Sequence, residues 1–383
     1  MTESAEVVIV GGGVMGTSIA FHLAEAGVED VLLLEMNELG SGSTCKAAGG
    51  VRANFSDDVN IALGARSLAA FAQFGSRPGQ EIDLHQVGYL FLLDTAEQVE
   101  HFRESTELQN TLAPELPPTR MMSVDEAVEL APIVAPNGLT GACFSPSAGH
   151  CTPESVVLGY ASAARRLGAR LVTGCEVLGI DAVGNQISAV QTSLGEVRTR
   201  TVICAAGAWS AQLGGMAGVD LPVVPLRRQI VVTEAIPGLP PGLPMTIDFG
   251  TTFYFHREGP GLLVGMSDPD ELPGFDVRRT DAWIPRLTEA MERRAPSLLE
   301  VGLSGGWAGL YEVTPDHNAL IGEADGISRF LYATGFSGHG FLQGPAVGEV
   351  IRDLYLDREP FVDVTPLSTD RFRSTVRPER NIV

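Results

Sequence analysis

The 383-residue chain is 44% hydrophobic with a formal net charge of −21, enough apolar content for a sizeable core and two domains, and far too negative for nucleic acid or an anionic membrane surface. It has no apolar run of 18 residues, which excludes a membrane-spanning helix, and the acidic opening MTESAEVVIV leaves no room for a signal peptide before the first strand. Five cysteines without paired or metal-ligand spacing point to buried, reduced thiols in a cytoplasmic protein and to no metal site.

Glu6–Val10 is predicted as a short buried strand, followed by the turn Gly11-Gly12-Gly13-Val14-Met15-Gly16, a helix over Val14–Ala26 stopped by Gly27, and a second strand Val31–Leu34 ending in Glu35. In such a unit Gly11 allows the tight turn, Gly13 lets the backbone approach a pyrophosphate, and Gly16 lets helix and strand pack closely. The helix N-terminus presents free amides and a positive dipole end to phosphates. Glu35, 19 residues after Gly16, is placed to accept from a ribose diol. Strand, glycine turn, helix and acid in this order predict a dinucleotide site.

Next comes a Gly/Ser-rich loop over Leu39–Arg52, which holds the chain's single lysine, Lys46. Helices are expected over Val59–Phe74, Thr95–Leu108 and Ser123–Leu130, the last opened by a Ser123/Glu126 capping box, with a strand at Gly88–Leu93. Thr152-Pro153 opens a helix to Leu167. Strands follow at 170–173, 176–181, 186–192 and 201–205. Pro-rich stretches at Leu221–Pro225 and Ile236–Pro244 bracket a strand at Gln229–Thr233. Strands at 252–256 and 261–266, a helix at 281–294 and a strand near 302–310 precede a closing unit: Phe330–Thr334, the loop Gly-Phe-Ser-Gly-His-Gly, and a helix with Ala346, Val347, Val350, Ile351 and Leu354 on its apolar face. Parallel α/β elements at the start, middle and end, with antiparallel-looking insertions, predict an α/β fold: a Rossmann-type nucleotide domain from the discontinuous segments 1–85, 146–220 and 318–383, and an α+β domain with a mainly antiparallel sheet from 86–145 and 221–317.

That interleaving, together with VVIVGGGVMGTSIAFHLA and Glu35, GSGSTCKAAGGVR, VICAAGAWS, WAGLYEVTPDHNALIG and YATGFSGHGFLQGPAVGE, resembles the FAD-dependent amine oxidoreductases of the glycine oxidase, sarcosine oxidase and D-amino acid oxidase family. Within it the pattern is most similar to sarcosine oxidase β-subunit-like proteins. The resemblance implies that Gly11, Gly13, Val14, Met15, Gly16, Glu35 and Met36 hold the adenosine half of FAD. It puts Ser43, Thr44 and Lys46 near the pyrophosphate and ribityl chain, and Ala48, Gly49 and Gly50 beside the flavin. It gives Val177 to the adenine, and sets Ala206, Gly207 and Trp209 over the cofactor. It lays Gly335, Gly338, His339, Gly340 and Phe341 along the pyrimidine edge, where a helix N-terminus stabilises the negative charge of a reduced flavin.

The chemistry implied is hydride transfer from the Cα of an amino acid or secondary amine (N-methyl, imino or D-amino acid) to flavin N5, giving an imine that water hydrolyses. A guanidinium grips a carboxylate in a bidentate fork, and Arg52 matches the carboxylate-binding arginine of the sarcosine oxidases. Tyr311 matches an active-site tyrosine, and Tyr254 is expected to face it across the flavin. Arg257 and Arg228 are weaker candidates, which read otherwise as solvated strand-face residues, and His150 and His256 read as surface or structural histidines. Three positions depart from the sarcosine oxidase pattern. The residue that carries covalent flavin falls on Gly309, so FAD is expected to be noncovalent. The second carboxylate-binding lysine falls on Leu342. The lysine and histidine linked to oxygen reduction fall near Leu263 and Ser267, so the electron acceptor is either O2 or another carrier. Two alternatives stay open: a flavin monooxygenase using NAD(P)H, and the flavin-bearing subunit of a hetero-oligomeric dehydrogenase inactive alone. Homo- or hetero-oligomeric assembly is open in either case.

Overall fold

The structure, a computed structural model, describes residues 3–373 and 377–382. Its first layer is a six-stranded sheet in the order 320–323, 330–334, 202–204, 7–10, 31–34, 170–172. All neighbours are parallel except Leu320–Glu323, which runs antiparallel to Phe330–Thr334. Val7–Val10 and Val31–Leu34 are buried throughout, as continuous apolar strands of a two-faced parallel sheet must be.

Alternate side chains of these strands feed two cores. Val7, Ile9 and Leu33 face three packed helices, Val14–Glu25, Pro153–Arg166 and Gly340–Tyr355. Val8, Val10, Leu32 and Leu34 face the antiparallel meander 177–183, 186–192 and 195–198. This places the carboxyl ends of the parallel strands, with the Gly11 turn, at one rim.

The second layer is an eight-stranded mixed sheet in the order 303–313, 224–233, 261–266, 253–258, 245–248, 89–93, 141–145, 120–122. Its pairs are antiparallel except for 245–248 with 89–93. Its outer core holds Leu287 and Met291 of the helix Ile284–Arg294 and the Trp283 that precedes it. Beside them lies an ion pair with no solvent access, Arg294 Nε to Asp248 Oδ1 at 3.3 Å.

Two expectations about strands need correction. The strand predicted at Gln229–Thr233 begins at Val224, inside a stretch read as a Pro-rich boundary. Residues 224–228 pair with the strand residues 309–313 on one side; on the other, Leu226 meets Pro273 in an isolated bridge and Pro225 O accepts from Gly274 N–H, while the partner strand joins from Gln229 onward. Pro225 therefore sits where its missing N–H costs no ladder bond. Strands at 120–122, 141–145 and 245–248 were not anticipated. The Ser123/Glu126 capping box is present. Among the described residues no helix is long and apolar enough to cross a membrane.

Candidate functional site

A cavity of about 500 Å³ runs from the rim of the parallel sheet into the gap between the two sheets, at the carboxyl ends of the strands where such folds place nucleotides. At its nucleotide end lie Gly11, Gly13, Val14, Met15, Glu35 and Met36. Gly11 has φ +115°, and a Cβ there would sit 2.2 Å from Ala205 O, so the turn and its contact with the neighbouring strand end both require glycine. Glu35 braces the turn: its carboxylate accepts from Gly12 N–H at 2.7 Å and from Asn37 N–H at 2.8 Å. Val177, Ala206, Gly207 and Trp209 also line this half.

The predicted loop forms the middle of the cavity. Ser43, Thr44, Lys46, Ala48, Gly49 and Gly50 all line it. Thr44 Oγ1 accepts from Val14 N–H at 3.1 Å, which fixes the loop to the helix start. Trp307 Nε1 donates to Lys46 O at 2.9 Å, and His256 Nε2 lies 2.9 Å from Ala48 O. His256 and His150 are both buried, with rings stacked 4.2 Å apart, which makes them structural here rather than surface residues.

The far end brings together Arg52, Tyr254, Tyr311, Gly309, Gly338 and His339, with Gly340 and Phe341 beside them. Tyr311 packs on Gly338, where an added Cβ would meet its ring at 2.4 Å and φ is +104°, so the turn before the last helix is shaped around that ring. Burial raises the pKa of both Tyr254 and Tyr311, so both stay protonated phenols. Arg52 is 5% exposed; burial is the main cause of its lowered pKa, yet a guanidinium stays charged. It donates to the carbonyls of Asn54 and Asn381 and stacks on Phe55 at 4.5 Å. Gly16 and Gly335 are the predicted residues that do not line the cavity. Gly16 lies under the turn, its hypothetical Cβ 1.8 Å from Gly11 O, and Gly335 sits against Thr314.

Several lining residues carried no sequence signal. Tyr89 begins an ordinary apolar strand, yet its hydroxyl occupies the space a side chain at Gly50 would need. Arg228, only a weaker candidate in the sequence, lines the cavity with its guanidinium 5.3 Å over the Tyr311 ring. Glu312 is half-buried on the cavity lining, and desolvation pushes its pKa up to about 7 against the amides of Gly335 and Phe336 and the Thr334 hydroxyl. Among the described residues no ion pair joins Arg52 or Arg228 to a carboxylate.

The residues present fit a dinucleotide cofactor. The helix that starts at Gly340 has no side-chain N-cap bond, and in the helix that starts at Val14 the Thr44 hydroxyl takes the first amide alone, so amides of both first turns are available to anionic or carbonyl groups in the cavity. Both ring nitrogens of His339 are buried without a partner, and burial, then the charges of Arg52 and His317, hold its pKa down to about 3. A neutral imidazole with unpaired nitrogens beside a cavity is a site for a polar ligand.

A family model described as DAO, FAD dependent oxidoreductase, matches residues 6–354. The chain belongs to that family. The mitochondrial dimethylglycine dehydrogenase of Rattus norvegicus is 30% identical over 390 residues, covering 97% of this chain but 45% of the rat enzyme. The chain thus spans about half the length of that relative. The glycine oxidase of Geobacillus kaustophilus (strain HTA426) is 29% identical over 383 residues, covering 97% of this chain and 98% of that protein. Among solved structures, the L-proline dehydrogenase from P. horikoshii superposes with a TM-score of 0.91 at 32% identity, covering 98% of this chain and 100% of that one. The fold and the FAD dependence implied by the five sequence motifs are those of this oxidoreductase family.

Proposed function

We propose that this DAO-family protein oxidises a small secondary amino acid, of the proline or N-methylglycine kind, with noncovalently bound FAD. In this reading segments 1–85, 146–220 and 318–383 form the FAD-binding domain, and 86–145 with 221–317 the substrate domain. Bound in the cavity, FAD supplies the hydride acceptor. The observation that carries the proposal is Arg52, a buried guanidinium at the aromatic end of the cavity without a carboxylate partner. It binds the substrate carboxylate, and Tyr254 and Tyr311, both held as phenols, form the walls that orient the Cα–H bond. The name of the proline dehydrogenase supports a secondary amine, and that of the dimethylglycine dehydrogenase an N-methylated glycine.

Noncovalent binding is supported at Gly309, which has no side chain to form a linkage, and where an added Cβ would fall 2.6 Å from Lys46 Cβ. Leu263 and Ser267 bring no charge to the positions linked to oxygen reduction, which supports a carrier other than O2 as acceptor. Anaerobic titration of the yellow protein with proline, N-methylglycine, N,N-dimethylglycine, glycine and D-alanine tests the reading: a secondary amino acid is expected to bleach the flavin. In Arg52→Met its half-saturating concentration is expected to rise roughly a hundredfold, because truncating one member of a desolvated charge pair costs about 2–5 kcal/mol. Bleaching by NADPH alone, with no response to any amine, overturns the reading in favour of a monooxygenase.

A further inference from the structure

Arg52 and the segment Glu379–Ile382, which no sequence motif singled out, meet at the substrate end of the cavity. Of the two carbonyls that hold the Arg52 guanidinium, one belongs to Asn381, which accepts from Nη2 at 2.6 Å. Asn381 is itself locked from two sides and has no solvent exposure. Its N–H donates to Glu379 Oε1 at 2.7 Å, and its Oδ1 lies 2.6 Å from His101 Nε2, a contact in which the imidazole N–H is the donor. Glu379, 3% exposed, is fixed in turn: its carboxylate accepts from Ser56 N–H at 2.9 and 3.0 Å, and its own N–H donates to Asp316 O at 3.1 Å. The next residue, Ile382, lines the same cavity as Arg52, Tyr254 and Tyr311.

Building on the carboxylate role proposed for Arg52, we infer that Glu379–Ile382 is a wall of the substrate pocket, with Asn381 the positioning residue for Arg52 and Ile382 a limit on the substrate side chain. The physical reason lies in the geometry of the fork. A guanidinium binds carboxylate through two parallel N–H bonds in one plane, and an arginine side chain has several free torsions. A carbonyl at one nitrogen fixes that plane before the substrate arrives, so less ordering is left for binding. The Asn381 carbonyl is suited to this role because it is neutral. It satisfies a buried N–H without cancelling the charge the substrate needs, as a carboxylate partner would. Asn54, two residues from Arg52, supplies the second carbonyl, whereas Asn381 comes from 329 residues away. The fork is therefore set only when the distant segment is folded against it.

The test uses the full chain loaded with FAD and reads the binding of benzoate, as a simple carboxylate probe, from its perturbation of the oxidised flavin spectrum. The variants are Asn381→Ala, Ile382→Ala, a chain ending after Arg380, and Arg52→Met as reference. The chain ending after Arg380, which loses the Asn381 carbonyl, is expected to weaken benzoate about tenfold or more, the effect of one hydrogen bond to a charged group, and Asn381→Ala, which keeps that carbonyl but loses the contact with His101 that holds it in place, to weaken it less. With the amino acid that bleaches the flavin, KM rises by a similar factor while kcat changes little. Flavin content stays at the parental value in both variants. Ile382→Ala is expected to shift the kcat/KM ratio about tenfold toward bulkier side chains. Benzoate affinity that falls in Arg52→Met but survives in the shortened chain overturns the positioning role alone. Unaltered side-chain preference in Ile382→Ala overturns the wall. Parental protein that binds benzoate no better than Arg52→Met removes the carboxylate role of Arg52 and this inference together.

Discussion

Glu312 is the penultimate residue of the long strand Leu303–Val313, next to Tyr311, and its carboxyl is enclosed by the turn that opens the last helix. Thr334 Oγ1 donates to it at 2.9 Å and Gly335 N–H at 3.1 Å. Burial outweighs these donors and moves its pKa from 4.5 to about 7. The sign follows from proton counting. Between pH 4.5 and 7 the unfolded chain has released this proton while the folded chain still holds it, so stability falls as pH rises through that interval and the penalty is complete above pH 7. At 1.36 kcal/mol per pKa unit the full penalty is about 3 kcal/mol. Unfolding entropies near 2.1 cal/mol/K per residue convert this to roughly 4 °C in melting temperature for a chain of this length. Glu312→Gln keeps an acceptor for both donors and cannot ionise. Thermal melts of parent and variant with bound flavin should coincide near pH 4.5 and diverge in the variant's favour up to pH 7 and beyond. Curves that run parallel across this range would refute a desolvated carboxyl at this turn.

Three further outcomes are expected. Arg294→Met or Asp248→Asn, each leaving one member of the fully buried pair without its counter-charge, should cost about 3–5 kcal/mol, while Asp248→Leu combined with Arg294→Met should recover most of it; single variants that unfold at the parental denaturant midpoint would contradict this. Gly11→Ala should purify without flavin colour, because its Cβ cannot sit 2.2 Å from Ala205 O at a left-handed φ; a stoichiometric FAD content would disprove the close approach. Acid precipitation should leave all flavin absorbance in the supernatant, and yellow protein in the washed pellet would show a covalent link elsewhere.

The parallel sheet was legible because its strands are short apolar runs between glycine and helix signals, as in Val7–Val10 and Val31–Leu34. Strands such as Gly141–Ser145 were not, since Gly-Ala-Cys-Phe-Ser has no β-branched residue and is held in place by partners at 89–93 and 120–122. Met245–Asp248 was hidden behind the prolines at 240, 241 and 244, and its parallel pairing to 89–93 joins residues more than 150 apart. The nucleotide end of the site depends on local spacing, so the Gly11 turn and Glu35 could be read directly. The substrate end does not. Tyr89, Arg228, Glu312 and Asn381 come from four separated segments, and their meeting depends on long-range sheet register, which carries no mark in any one of them.

Lys46 is the only lysine in the chain, and it is exposed on the lining of the cavity beside Gly309. An amine-reactive label therefore has a single side-chain target, and it lies where the cofactor is read to pass. Acylation at this one position would distinguish loaded from empty protein by mass alone, without an assay for turnover.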